Sequence, residues 1–321
     1  MFICPKCKSR MTLPVCVRCG NRILRRNNVW QLTDMPDLVT EGEGDKYIGY
    51  EHIGENYSGR RSYLIEERDA VIAGEVSALN GDGVFLDLAC GDGCLTVPCA
   101  GNGSRIIAGD ISNAMLGILQ DKAGHNGISL DRVMLCRMNA LEIPIEDESV
   151  DTVAANSVLH LISNSRKVID EIYRVLRKGG SFVCLDDRPG RVPESTFDNK
   201  LYNEIVQSLY DGYWRKMQVL GIAPKKYGWR FDRGGYCGEL FGGKSERLIE
   251  RGNRYEMRLG DGFLPRFRGR GFSDQTDVPV EIHEKVMEEL TAEFSGRYGE
   301  SFENAVFRGI EDDILITIYR K

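Results

Sequence analysis

The stretch "LDLACGDGCL", Leu86 to Leu95, decides how this chain is read. It is an apolar run that stops in a Gly-Asp-Gly turn, the sequence form of a strand ending in a loop that wraps a ligand. Working outward, similar runs recur. "GVFLDL" (83–88), "SRIIAGDIS" (104–112), "DRVMLCRMNA" (131–140), "VDTVAANSVLHL" (150–161) and "SFVCLDD" (181–187) read as strands. Between them stand helix patterns, "NAMLGILQDKAG" (113–124) and "SRKVIDEIYRVLRKGG" (165–180), the second closing on a glycine pair suited to a helix C-cap. "SYLIEERDAVIAGEVSAL" (62–79) has helical spacing and leads into the turn "NGDG". Alternating strands and helices predict an α/β fold, a doubly wound and mostly parallel sheet. Ligands of such sheets lie beyond the carboxyl ends of the strands.

The chain has 321 residues, 42% hydrophobic and 28% charged, which suits a globular catalytic domain with small additions. No run of about 18 apolar residues suggests a membrane span. The beginning, "MFICPKCKSR", has no apolar signal core, so the sequence reads as unexported and cytoplasmic. Charge is uneven. Residues 1–33 carry Lys6, Lys8, Arg10, Arg18, Arg22, Arg25 and Arg26 and no acid, a net +7. The overall −6 therefore leaves −13 on residues 34–321. A basic head can touch nucleic acid, or its cations can solvate a small module and face the acidic body.

That head contains "CPKCKSRMTLPVCVRCG", in which Cys4, Cys7, Cys16 and Cys19 form two C-x-x-C knuckles eight residues apart. Two knuckles close a four-sulfur shell around a tetrahedral metal. Disulfides suit secreted chains, and a redox pair would need a βαβ context. A head of this size has little core, and bound zinc contributes on the order of 10 kcal/mol to folding such modules. With four thiolate ligands the metal has no open position, so one structural Zn2+ is expected.

The glycine loop could serve several nucleotides. No Gly-x4-Gly-Lys-Ser/Thr string follows the strand, which excludes a P-loop. A dinucleotide fingerprint needs a third glycine where this chain has Thr96. Asp110 ends the second strand, placed to accept hydrogen bonds from both ribose hydroxyls of an adenosine, a geometry common to NAD and S-adenosylmethionine.

Here a resemblance decides. "FLDLACGDG", "IIAGDISNAML", "MNALEIPIEDESVDTV", "ANSVLHLI" and "IYRVLRKGGSFV" resemble, in order and spacing, the motifs of class I S-adenosylmethionine-dependent methyltransferases. The likeness is to the ubiquinone/menaquinone methyltransferase-like, "type 11" group and runs from about residue 83 to 186. It implies a seven-stranded Rossmann-like sheet. It implies that Asp87, Ala89, Gly91 and Gly93 face the amino-acid half of the cofactor, Asp110 its ribose, and Ile111 and Met115 the adenine or ribose. Asn139 and Ala140 would flank the adenine edge. The family has Asp-Ala there, so Asn139 departs from it. Asn156 and Ser157 would lie beside the transferred methyl, and Tyr57 and Arg60 in a lid over the methionine end. His160 is the candidate general base, with Tyr57, Tyr63 and Asp187 behind it. Cys90 and Cys94 read as small packing residues.

The expected organisation is a zinc ribbon (1–33), a linker or lid (34–62), an S-adenosylmethionine-binding core (63–188), an inserted, aromatic-rich substrate cap (189–262) and a C-terminal part of the sheet (263–321). That last part would hold a strand in "GFSDQTDVPV", a helix from about His283 to Ser295 and a final strand "DDILITIYRK". Three functions compete. The first is methyl transfer to a small molecule or peptide, as in specialised metabolism, which the aromatic insertion and acidic body favour. The second is an RNA base methyltransferase gripping RNA through the basic head. A bacterial rRNA guanine methyltransferase family also joins a zinc ribbon to this fold, but its metal shell ends in histidine where this chain has Cys19, and its fourth-strand motif differs from "ANSVLHLISNS". The third is a non-enzymatic cofactor-binding module whose head recruits a partner.

Overall fold

The structure, a computed structural model, describes residues 2–35, 65–185, 198–224, 231–250, 253–275, 278–310 and 314–321. Tyr57, Arg60, Tyr63 and Asp187 lie outside the described residues, as does nearly all of the expected linker. The chain divides into two compact units. One is Met1–Asp187, Tyr227–Leu248 and Leu315–Lys321; the other is Arg188–Lys226 and Ile249–Ile314.

In the first unit the head begins with β1 (Phe2–Ile3) and β2 (Arg10–Met11), followed by β3 (Arg25–Arg26) and β4 (Val29–Gln31). After the helix Glu67–Asn80 comes β5 (Val84–Leu88), then the helix Thr96–Gly101, β6 (Arg105–Asp110), the helix Asn113–His125, β7 (Val133–Arg137) and β8 (Val150–Asn156). The helix Ser165–Val175 leads into β9 (Leu176–Leu185). Later come the helix Arg233–Leu240, β10 (Gly243–Ile249) and, at the chain's end, β13 (Ile314–Arg320). The sheet order is β10-β13-β9-β8-β5-β6-β7-β4-β3. The pairs β5–β6, β5–β8, β6–β7 and β8–β9 are parallel, and β13 runs antiparallel to β9. β5 and its parallel partners are buried on both faces, which is why they read as unbroken apolar runs.

Among the described residues the sheet has nine strands where seven were expected, and the two extra belong to the head. β4 pairs parallel with β7 (Trp30 against Cys136, Gln31 against Arg137), and Phe2 bridges Ile145. Phe2, Met11, Ile23 and Leu32 share one buried cluster with Ile143 and Ile145. The head is thus built onto the sheet edge.

Two other expectations change. The glycine pair Gly179-Gly180 does not cap a helix. The helix stops at Val175, and Leu176 already pairs with Val150 while Ser181 pairs with Thr152, so Arg177–Gly180 bulge from the ladder. A Cβ on Gly180 would stand 2.8 Å from the Arg177 carbonyl oxygen and 2.9 Å from that of Asp151, so only glycine fits the bulge. The expected cap and C-terminal part also divide differently. Within 189–262, the helix Arg233–Leu240 and β10 belong with the sheet, where Phe241 stacks on Phe182 and packs against Tyr319. Among the described residues of 263–321, only β13 returns to it.

The second unit is built on the helices Lys200–Val219 and Val280–Tyr298, whose Leu209, Tyr213, Met217, Leu290 and Phe294 share a buried core with Phe267 and Phe302. β11 (Arg254–Arg258) pairs antiparallel with β12 (Val306–Ile310) beside them. "GFSDQTDVPV" contributes a 3-10 turn, Ser273–Gln275, instead of a strand, as its Gly, Asp and Pro punctuation favours. Tyr213 Oη and His283 Nδ1 lie 2.7 Å apart in the core, and the ring's other nitrogen is 2.8 Å from the Arg268 carbonyl oxygen.

Candidate functional site

The register of the parallel strands brings most of the expected site residues to one edge. Leu88 is level with Gly109 and Ala155, Asp110 with Arg137, and Asn156 with Leu185. The loops after β5, β6, β7 and β8 therefore leave the sheet together, and they carry Ala89–Gly93, Ile111, Asn139–Ala140 and Ser157–His160.

The glycine loop is fixed from below. Asp87 is buried, and Thr96 Oγ1 donates to its Oδ2 at 2.6 Å. Burial pushes the Asp87 carboxyl up to about 7, against the pull of the Thr96 hydroxyl, with the Asp110 charge adding to the rise. Thr96, which replaces the third glycine of a dinucleotide loop, is thus the partner of Asp87. Ala89 takes φ 56°, a conformation costly for a residue with a Cβ, and Gly91 and Gly93 follow with φ 54° and 79°. A Cβ on Gly93 would stand 2.6 Å from Leu119 and 3.0 Å from Val97, so the loop lies close on its helices. Met115 is buried, its Cε 3.4 Å from where a Cβ on Gly91 would be, and forms the floor of the loop.

Asp92 turns inward. Its carboxylate accepts from the Cys94 thiol at 3.0 Å and lies 3.8 Å from Lys122 Nζ, both side chains of the ion pair being about nineteen-twentieths buried. Cys90 and Cys94 are buried, and burial pushes the Cys90 thiol well above its usual range, as packing residues require.

Asp110 ends β6, half-buried. Its Oδ2 accepts from Gly91 N and its Oδ1 from Ser112 N, each at 2.9 Å. These two N–H groups orient the carboxylate. Ser112 caps the helix Asn113–His125 by accepting from Met115 N at 3.1 Å. Asn139 Oδ1 accepts from Leu141 N at 3.0 Å, an Asx turn that uses the carbonyl and leaves the amide as the group the turn does not use. At the end of β8, Ser157 takes φ 54°, donates its N–H to the Leu185 carbonyl at 2.9 Å and its hydroxyl to Asn156 Oδ1 at 3.2 Å. Left-handed Ala89 and Ser157 are local strain at the ends of two central strands, where strain marks functional loops. His160 follows on the 3-10 turn Leu159–Leu161, partly exposed.

In the head, the four cysteine sulfurs lie within 4.8 Å of one another, Cys4 and Cys19 3.7 Å apart and Cys7 and Cys16 3.6 Å apart. A tetrahedral ion with sulfur at about 2.3 Å gives edges of about 3.8 Å, so the shell fits a zinc-sized cation. The knuckles are copies of one turn. Lys8 N donates to the Cys4 carbonyl and Cys4 N to that of Ser9; Gly20 N donates to the Cys16 carbonyl and Cys16 N to that of Asn21. Lys8 and Gly20 take the matching left-handed positions, φ 57° and 70°. Hydrogen bonds led by the Cys19 backbone lower the Cys16 thiol below its usual range.

Lys122 and Arg137 were not singled out by the sequence, and Thr96 was read only as a missing glycine, not as a partner of Asp87. Thr96 and Lys122 partner residues that were singled out. Arg137 ends β7 in a run whose spacing marks only a strand.

Residues 86–184 match the family model described as a methyltransferase domain. Over 140 residues the chain is 29% identical to the ubiquinone/menaquinone biosynthesis C-methyltransferase of Brucella abortus, covering 43% of this chain and 51% of that protein. Over 104 residues it is 36% identical to the demethylmenaquinone methyltransferase of Lactiplantibacillus plantarum, covering 32% of this chain and 44% of that one. The chain spans about half the length of the curated relatives it matches. Among solved structures, geranyl diphosphate C-methyltransferase of Streptomyces coelicolor, in complex with S-adenosylhomocysteine, is 16% identical with a TM-score of 0.38, covering 78% of this chain and 76% of that one.

Proposed function

We propose, for a chain whose residues 86–184 form a class I S-adenosylmethionine-dependent methyltransferase domain, that the whole protein moves a methyl group to a nucleophile of a small molecule or peptide of specialised metabolism. One structural Zn2+ in the head completes the reading. The observation that carries it is the Asp110 carboxylate, oriented by Gly91 N and Ser112 N beside a loop that lies close on its helices.

In this reading Asp110 accepts from the ribose hydroxyls. Gly91 and Gly93 let the backbone approach the amino-acid half, with Asp87 holding the loop through Thr96 and Ala89 turning it. Ile111, Met115, Asn139 and Ala140 flank the adenosine, and Asn156 and Ser157 stand at the methyl end. Bound S-adenosylmethionine supplies a methyl group on a sulfonium, which is already an excellent leaving group. The protein's task is then alignment, worth up to roughly 7–11 kcal/mol, and exclusion of water. His160 takes the proton from the acceptor's nucleophile. Cys4, Cys7, Cys16 and Cys19 hold the Zn2+, whose closed shell gives it a structural role.

Among the described residues no helix is long and apolar enough to cross a membrane. The relatives that match are named as quinone methyltransferases, which supports a small-molecule acceptor. The test has two steps. Titration of the zinc-loaded chain with S-adenosylhomocysteine should show one site. Tritiated methyl transfer into cell extract, fractionated into RNA, protein and small molecules, should then label the small-molecule or peptide fraction. Absence of transfer into every fraction would leave only a cofactor-binding module.

A further inference from the structure

The four-cysteine head reaches the cofactor edge through one buried side chain. Arg137 is 7% exposed, and its Cα is paired with Asp110 on β6 and with Gln31 on β4. Its guanidinium donates to three carbonyls: Nε to Ile111 at 3.0 Å, Nη1 to Thr33 at 3.3 Å, and Nη2 to Met35. Two of these belong to the tail of the head. The third belongs to the residue directly after Asp110. A second tie runs alongside, from Gln31 Nε2 to Asn113 Oδ1 at 3.0 Å. Between the two ties lies Ser112, whose N–H holds Asp110. Both ends of the turn Ile111–Asn113 are therefore pinned to residues 31–35.

The cysteine shell is connected to those same residues. Val15, beside Cys16, bridges Arg22, and Ile23 N donates to the Pro14 carbonyl. Gln31 N donates to Leu24, and Leu32 N to Arg137. The second knuckle thus leads through Ile23 and Leu24 straight into β4. A buried guanidinium stays in place only while its donors are satisfied. If the tail leaves β7, Arg137 loses the carbonyls of Thr33 and Met35, two of the acceptors that hold its guanidinium in place. The Ile111 carbonyl is then released as well.

The geometry points to a metal-linked control of the cofactor edge: metal in the Cys4, Cys7, Cys16 and Cys19 shell orders residues 29–35 against β7, and Arg137 passes that order to the turn that aims Asp110. Arg137 is a positioning residue in this scheme, and its link to affinity rests on Asp110 being the ribose acid.

Hydrogen exchange on the full chain, before and after zinc removal by a chelator, tests the coupling, and titration with S-adenosylhomocysteine tests its consequence. Chelation should raise exchange in 29–35 and in 110–116 together and weaken binding at least ~10-fold, the scale of charge-assisted hydrogen bonds lost from a buried site. Arg137→Gln leaves the cysteines intact, so metal analysis should still find one zinc per chain while exchange at 110–116 rises as after chelation. Arg137→Lys keeps the charge without the fork and should fall between. Exchange at 110–116 that neither chelation nor Arg137→Gln moves overturns the coupling, whatever the titration gives. Coupled exchange in a zinc-loaded wild type that does not bind S-adenosylhomocysteine overturns the cofactor reading beneath it.

Discussion

Asp87 shows how far a motif carries at the scale of one residue. The motif names it a cofactor residue, but its carboxyl is buried and bonded to Thr96, so it acts from beneath the loop. Its raised value of about 7 has a consequence for stability. Between about pH 4 and 7 the native state keeps a proton that the unfolded chain has released, so this group's contribution to stability falls as pH rises through that window. Asp87→Asn removes the titration. Measured by urea unfolding, the variant should gain about 1–4 kcal/mol relative to wild type on going from pH 4 to pH 8, whatever its offset at pH 4. A constant difference would mean the carboxyl ionises normally in the fold. His160 makes the complementary case. If it takes the nucleophile's proton, His160→Ala should leave S-adenosylhomocysteine affinity unchanged and lower kcat by roughly 100-fold or more. Unchanged kcat would remove it from the chemistry. The positions of Asp110 and of the four cysteines were legible because they follow from strand position and from spacing. The roles of Thr96, Lys122 and Arg137 were not, because each acts through a partner that is distant in sequence, and one chain carries no record of such pairs.

At the scale of elements, the alternating core strands were legible within a few residues, since burial on both faces writes itself as continuous Val, Ile and Leu. What the sequence hid were short elements defined only by their partners. β3 and β4 have two and three residues and exist because β7 offers an open edge. Likewise "LRKGGSFVCL" reads as a capped helix end, whereas tertiary pairing makes it a bulged strand. The head's docking is an apolar matter more than an ionic one. Lys8–Glu142 is an exposed pair, of a kind that contributes less than about 1 kcal/mol, and in Arg10–Glu146 the arginine is exposed while the glutamate is only partly so. Leu32, by contrast, is 2% exposed within the shared cluster. Leu32→Ala should cost about 2–5 kcal/mol in urea unfolding of the zinc-loaded chain, the range for a buried leucine. A double charge reversal of Lys8 and Glu142 should cost almost nothing. The opposite ranking would show the head held by charge alone.

On the scale of the whole molecule, the balance of charge bears on which acceptor to test first. The head carries +7 and the rest −13, a pattern that on composition alone suits RNA contact as well as a small-molecule acceptor. The structure shows where part of that basic charge goes: Lys8 and Arg10 meet Glu142 and Glu146, and Arg25 lies over the Trp30 ring at 5.4 Å. Lys6, Arg18, Arg22 and Arg26 remain exposed on the head. Four cations beside a body of opposite sign make a weak phosphate footprint, since each neutralised phosphate adds about one unit of salt slope and non-specific grip needs several. The zinc-loaded chain should therefore not retard rRNA fragments in a mobility shift at about 50 mM salt, where electrostatic binding is strongest. Charge reversal at Arg18 and Arg22 should then leave methyl transfer to the labelled small-molecule fraction unchanged. Retardation that falls steeply with salt and disappears in that variant would move the acceptor to RNA and give the head's exposed cations the work of holding it.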